Sequence, residues 1–147
     1  MASWRDTAAQ RAQEDLDGLL DRALGFAQQQ LNSHGEFYPY AVVVDADGQR
    51  MVAASTGSDR PESADVIATL IDVLSGQRDQ LRGAAIIADT QVPALGGDAV
   101  RVTLEHSERV ALTVLMPYRR RRFGRGIDYG DLQVSQADAV IWSTRLP

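Results

Sequence analysis

The most constraining feature of the chain is a pair of alternating segments joined by a very short link. In residues 98–106, DAVRVTLEH, every second side chain from Val100 to His106 lies on one face, and polar and charged side chains take the other. Residues 109–118, RVALTVLMPY, alternate in the same way. A link as short as Ser107–Glu108 can join only antiparallel neighbours, because parallel strands need a long crossover. The chain therefore builds an antiparallel sheet.

Two helices and further strands are predicted around this hairpin. Apolar residues recur at three- and four-residue spacing from Leu16 to Leu31, which predicts a first helix that Gly35 ends. Residues 1–14 either extend this helix or fray. The segment EFYPYAVVVDADGQRMVAAS predicts a hairpin with its tight turn at Asp47-Gly48. A second apolar stripe, from Val66 to Leu74, predicts a second helix.

These elements define the predicted fold class. We expect an α+β domain in the order α-β-β-α-β-β-β, in which an antiparallel sheet of about five strands carries the helices on one face. The 147 residues suit a single domain. Arg119–Arg122 would alternate between both faces of a strand, so we expect the strand to end near Tyr118. Residues 119–130 are accordingly predicted to form an exposed Arg/Gly loop.

Composition excludes several chemistries. The chain has no cysteine and no lysine, which removes thiol nucleophiles, disulfides, thiolate zinc sites and lysine Schiff bases. The balance of 20 acidic against 15 basic residues gives a net charge of -5, which argues against a generally basic nucleic-acid surface. The opening residues MASWRDTAAQ lack an apolar run, and no apolar stretch is long enough to span a bilayer. We expect a cytoplasmic protein that does not enter the membrane.

The titratable residues give only a weak catalytic hypothesis. A small acid/base enzyme could use Glu36 and His106 with Asp45 or Asp47, because histidine titrates near neutrality. The only other histidine is His34, and neither histidine belongs to a cluster with metal-ligand spacing. We expect His106 to be a partly exposed strand end. No spacing brings these residues together, so we favour a non-enzymatic protein without metal or cofactor.

Aromatic and arginine residues are better candidates for an interaction surface. Aromatic side chains bury area and keep a polar tip, which suits interfaces. Five arginines fall within seven positions from Arg119 to Arg125. The predicted interaction residues are Tyr38, Tyr40, Tyr118, Arg119, Arg120, Arg121, Arg122 and Arg125.

Three kinds of partner could bind this surface: another protein, a second copy of the chain or a nucleic acid. We expect the protein to bind another protein or itself, and a homodimer is favoured because closed two-fold dimers are the commonest oligomers. The acidic first helix of a second copy would complement the arginines. A nucleic-acid accessory protein acting through the Arg119–Arg125 segment is the less favoured alternative, because Asp128 and Asp131 lie close by and oppose phosphate binding.

Three segments together resemble a known group of sequences. They are GEFYPYAVVVDADG after the first helix, VTLEHSERVALTVLMPYR in the third quarter and YGDLQ near the end. They resemble an uncharacterised family of small bacterial proteins that is common in actinobacteria, over roughly residues 15 to 133. The resemblance implies a bacterial source and a small α+β domain. It implies no activity, ligand or catalytic residue.

Overall fold

The computed structural model describes residues 7–121 and 126–143. Two α-helices and seven strands make up this part of the chain, with a short 3₁₀ turn before and after the third strand. In chain order they are α1 Thr7–His34, β1 Tyr40–Asp45, β2 Gly48–Val52, α2 Ser63–Gln77, β3 Leu81–Val92, β4 Gly97–His106, β5 Val110–Arg120, β6 Ile127–Tyr129 and β7 Gln133–Gln136.

The strands form one antiparallel sheet in the order β2-β1-β3-β4-β5-β6, with β7 also paired to β5. The α+β class and the antiparallel sheet are therefore confirmed. The predicted order and strand number differ, because two short strands follow β5. Both lie along the outer edge of β5, where β7 pairs with Leu112–Leu115 and β6 pairs with Tyr118–Arg120.

The prediction that the helices share one face of the sheet is wrong. Leu19 and Leu31 of α1 pack on the face that carries Val42 and Ile87, whereas α2 packs on the opposite face. The physical reason lies in β1, whose residues Tyr40–Val44 are all buried. A strand that is apolar on both faces must be covered on both faces. The molecule therefore has three layers, with α1 and α2 on either side of the sheet.

Details of the turns and ends also differ from the predictions. The first hairpin turns at Ala46-Asp47, where the Asp45 carboxylate accepts from the Asp47 N–H at 2.8 Å, and Gly48 follows with a φ of 120°. A type I turn followed by such a glycine also closes a hairpin, and the observed turn lies one residue earlier than expected. Residues from Thr7 onward extend α1. Gly35 ends α1 as predicted, with a φ of 78°.

The predicted end of β5 and the Arg/Gly loop need correction as well. β5 continues past Tyr118 to Arg120 and pairs with β6, so residues 119–130 include a two-stranded ribbon. Arg119 and Arg120 are both exposed there. Ile127 and Tyr129 of β6 still pack against the core beside α1, while the two successive arginines of β5 are accommodated because both reach solvent. Arg122 and Arg125 lie outside the described residues.

Candidate functional site

At one end of the sheet, a cluster of charged side chains satisfies its hydrogen-bonding groups largely within itself. The Asp15 carboxylate on α1 accepts two hydrogen bonds from the Arg82 guanidinium, at 3.0 and 2.9 Å, and one from His106 Nε2 at 2.8 Å. His106 Nδ1 accepts from the Glu108 N–H at 3.1 Å, so the ring proton lies on Nε2. Gly83 lets α1 approach here, since an added Cβ would lie 3.2 Å from Leu19 and from His106.

This Asp15 cluster (Asp15, Arg82 and His106) is structural. Desolvation raises the pKa of Asp15, but the hydrogen bonds from Arg82 and His106 and the Arg82 charge outweigh it and hold the pKa below its ordinary value. His106 is only 2% exposed, which corrects the expectation of a partly exposed strand end. Both ring nitrogens already have partners, so the imidazole cannot take a proton from a substrate.

A second buried carboxylate fastens the C-terminal segment. Glu105 is 1% exposed and accepts from the backbone N–H groups of Val140, Ile141 and Trp142, at 2.9, 3.0 and 3.2 Å. Ile141 is buried in the core beneath α2. Consecutive backbone N–H groups that converge on one anion form a nest. In this protein the Glu105 carboxylate is the anion, and the contact holds the C-terminal segment against the rest of the fold.

The residues of the acid/base hypothesis are not brought together. His106 pairs with Gly83 on β3, whereas Glu36 lies near Asp89 at the other end of the same strand. At about 3.3 Å per residue, the path from Gly83 to Asp89 is about 20 Å. Asp45 forms an ion pair with Arg50 and Asp47 is exposed. Neither carboxylate therefore completes an acid/base site with Glu36 and His106. Among the described residues, no group of three or more histidines and carboxylates could hold a metal ion.

The opposite end of the sheet carries an open groove of about 600 Å³. Its walls come from the C-terminal part of α1, from residues 34–40, from the segment after β2 and from the start of α2. Phe26 and Phe37 meet the Tyr40 ring edge-on, with ring centroids 4.9 and 5.6 Å from it. Tyr38 stands at the groove with 57% of its surface exposed. Exposed aromatic area above a preformed groove is typical of a binding site.

The two buried tyrosines of the predicted surface are part of the fold at this end. Tyr40 donates its hydroxyl proton to the Ala23 carbonyl at 2.6 Å, and burial raises its pKa above the ordinary value. Tyr118 donates to Asp89 Oδ1 at 2.6 Å; burial and this hydrogen bond raise the pKa of Tyr118. Both hydroxyls therefore stay protonated at neutral pH. Phe37 packs against the core.

Asp89 is a carboxylate of β3 that lines the groove and contacts Tyr118. Burial raises the pKa of its carboxyl, and the neighbouring charges of Asp98 and Glu36 raise it further, against the hydrogen bond from Tyr118 and the Arg120 charge. The Tyr118 hydroxyl is its one hydrogen-bond donor within the described part of the chain. Within the described residues, Asp89 therefore has a single hydrogen-bond donor and surroundings that disfavour its charged form.

The described arginines of the predicted interaction surface differ in the groups that they contact. Arg120 donates to the Gly35 carbonyl, and its guanidinium lies 6.0 Å from the Tyr118 ring centroid. Arg121 pairs with Asp128 at 3.0 Å on the neighbouring strand. Arg119 is exposed beside them. Within residues 7–121 and 126–143 the structure thus places Tyr38, Tyr40, Tyr118 and Arg120 around one end of the sheet.

Three carboxylates that distinguish the two ends of β3 were not identified from the sequence: Asp15, Glu105 and Asp89. Asp89 interrupts the apolar segment GAAIIADTQV, and a charge in a central strand was the signal available for it. Asp15 and Glu105 gave no comparable signal, because each looks like a solvent-facing residue of an amphipathic element. Their roles depend on long-range contacts with Arg82 and with Val140–Trp142.

Comparison with protein-family models, with curated proteins and with solved structures gives no match to the chain. None of the described helices is long and apolar enough to cross a membrane.

Proposed function

We propose that the protein is a non-enzymatic binding module, and that its groove takes an extended segment of a partner protein. The observation that carries the proposal is the position of the groove at the end of β2, the outermost strand of the sheet. Ala53 and Ala54, which follow β2 directly, line the groove. Among the described residues no strand pairs with the outer side of β2.

An edge strand beside a pocket is suited to peptide recognition. The backbone of an added segment can pair with the free edge, while a pocket at the strand's end selects a side chain. The exposed ring of Tyr38 supplies the aromatic anchor that such a contact uses. The acid/base pair suggested by the sequence, by contrast, is separated, because His106 lies at the other end of β3 from Glu36.

Selection from a library of random peptides displayed on phage tests the proposal. Peptides that bind the wild-type protein should bind Tyr38→Ser about tenfold more weakly, since an aromatic anchor carries a large share of peptide affinity. Val73→Ser is the matched control, because Val73 is an exposed apolar residue of α2 that does not line the groove. Selected peptides that bind Tyr38→Ser and wild type equally, or a library that yields no binder, would refute the proposal.

Self-association is a second candidate with its own observation. Val134 of β7 is 61% exposed and Leu132 is 44% exposed, beside the outer edge of the sheet. Two copies that pair through β7 would cover both side chains and continue the sheet, as exposed edges tend to do. Light scattering should then give twice the chain mass for wild type and the single mass for Val134→Lys. A single mass for the wild type would reject this candidate.

A further inference from the structure

We propose that the partner segment places an arginine or lysine side chain in the groove, beside the Tyr38 ring and the carboxylates of Glu36 and Asp89. This inference rests on the proposed function and names the chemistry of its ligand. The first argument is the charge of the lining. Glu36 and Asp89 are its carboxylates, and no arginine is among the described residues that line it.

The second argument is the aromatic character of the walls. The faces of aromatic rings carry negative electrostatic potential and attract ammonium and guanidinium groups. Tyr38 leaves most of its surface open to solvent, while Phe37 packs against the Tyr40 ring and keeps the wall in place. Aromatic surface combined with carboxylates favours an organic cation over a neutral or anionic ligand.

The third argument is that no arginine enters the groove among the residues that the structure describes. Arg120 approaches from β5, but its guanidinium donates to the Gly35 carbonyl and faces the Tyr118 ring. Its charge lowers the pKa of Asp89 without cancelling the opposite effects of burial, Asp98 and Glu36. An incoming cation would supply the positive charge that Asp89 lacks.

Binding should accordingly depend on pH through several groups. Asp89 and Glu36 face the ligand as carboxylates, and Asp98, Tyr118 and Arg120 set the charge around Asp89. His34 on α1 also lines the groove. Acidification through the raised pKa of Asp89 therefore weakens binding, because it neutralises this carboxylate. Repeating the measurement in a His34→Gln background keeps the histidine out of the comparison.

The test uses two small probes of nearly the same shape, N-acetyl-arginine amide and its neutral analogue N-acetyl-citrulline amide. In two-dimensional NMR spectra, the arginine probe should shift the backbone amides of Phe37, Tyr38 and Asp89, with a dissociation constant on the order of millimolar. The citrulline probe should bind about tenfold more weakly or not at all. Asp89→Asn should weaken the arginine probe by a similar factor, whereas Asp72→Asn, an exposed carboxylate on α2, should not.

The outcomes separate this inference from the proposed function. Equal shifts with both probes, or none with the arginine probe, would overturn the cation site. Phage-selected peptides that need Tyr38 but contain no arginine or lysine would also overturn it, while the binding function would stand. Selected peptides that lose affinity about tenfold when their arginine is replaced by citrulline would support both.

Discussion

The carboxylates at the two ends of β3 have opposite electrostatic environments. Asp15 accepts hydrogen bonds from both Arg82 and His106, and Glu105 accepts from three consecutive backbone N–H groups. Asp89 accepts from Tyr118 alone among the described residues and lies near two further carboxylates. The pKa of Asp15 is lowered and that of Asp89 is raised. We infer that the carboxylates at one end stabilise the fold, whereas Asp89 at the other end is available to the proposed ligand.

The largest effect is expected at Glu105. Replacing it with alanine leaves the N–H groups of Val140, Ile141 and Trp142 without their acceptor, so the free energy of unfolding should fall by about 3 kcal/mol. Urea unfolding measures this change. Glu108→Ala, an exposed carboxylate on the same hairpin, should cost less than about 0.5 kcal/mol. Equal losses for the two variants would mean that the C-terminal segment does not depend on Glu105.

The next effect is expected at Asp15. Asp15→Asn should lower the free energy of unfolding by about 2 kcal/mol, less than for a fully buried pair because Arg82 is partly exposed. The control is Asp17→Asn on the exposed side of α1, which should have little effect. A comparable loss for Asp17→Asn would indicate that helix charge, rather than the Asp15 cluster, governs stability.

The pH dependence of this cluster follows from the lowered pKa. The stabilisation by Asp15 is complete above the ordinary value of 3.8 and is lost as the pH falls through the lower pKa of the folded state. Acid unfolding of the wild type should therefore include a loss of stability below that value which Asp15→Asn lacks. Parallel acid profiles for wild type and variant would contradict this assignment.

Asp89→Asn should have the opposite effect on stability. The raised pKa means that the charged carboxylate destabilises the fold at neutral pH, and this penalty disappears as the pH falls through that pKa. An asparagine oxygen can still accept from Tyr118. We expect the free energy of unfolding to be unchanged within about 0.5 kcal/mol or to rise, as is common when a functional charge is removed. A loss near that of Asp15→Asn would show that Asp89 is structural.

The smallest effect on stability is expected at Tyr38. Its side chain is 57% exposed, so Tyr38→Ser should change the free energy of unfolding by less than about 0.5 kcal/mol while weakening peptide binding. Tyr40→Phe is the informative contrast, because it removes a buried hydroxyl that donates to Ala23 and should cost about 1 kcal/mol. Equal costs would mean that Tyr38 also supports the fold.

Local patterns were sufficient to predict most of the fold. The alternation of residues 98–118 predicted the β4-β5 hairpin, and the apolar stripes predicted both helices. The layer arrangement could also have been inferred, since Tyr40–Val44 is apolar on both faces. β6 could not, because a segment of three residues is too short to show an alternating pattern and depends on the edge of β5 for pairing.

Several residues at the candidate site were singled out from the sequence, but nothing in the sequence placed them together. Tyr38 and Tyr118 were named from composition, and the structure brings them to the same end of the sheet. Asp89 acquires its character from burial and from charges distant in sequence, such as Glu36 and Arg120. His106 does end its strand, but its burial could not be predicted because the hydrogen bond to Asp15, on a helix near the start of the chain, leaves no local signature.

The most direct test of this division compares Asp89→Asn with Asp15→Asn, measuring both urea unfolding and the affinity of one phage-selected, arginine-containing peptide. We predict that Asp89→Asn loses about tenfold in affinity at undiminished stability, while Asp15→Asn loses about 2 kcal/mol of stability and keeps its affinity when folded. If Asp89→Asn instead keeps the affinity, Asp89 does not bind the arginine. If it loses stability as Asp15→Asn does, Asp89 is structural and the two ends of β3 do not differ in function.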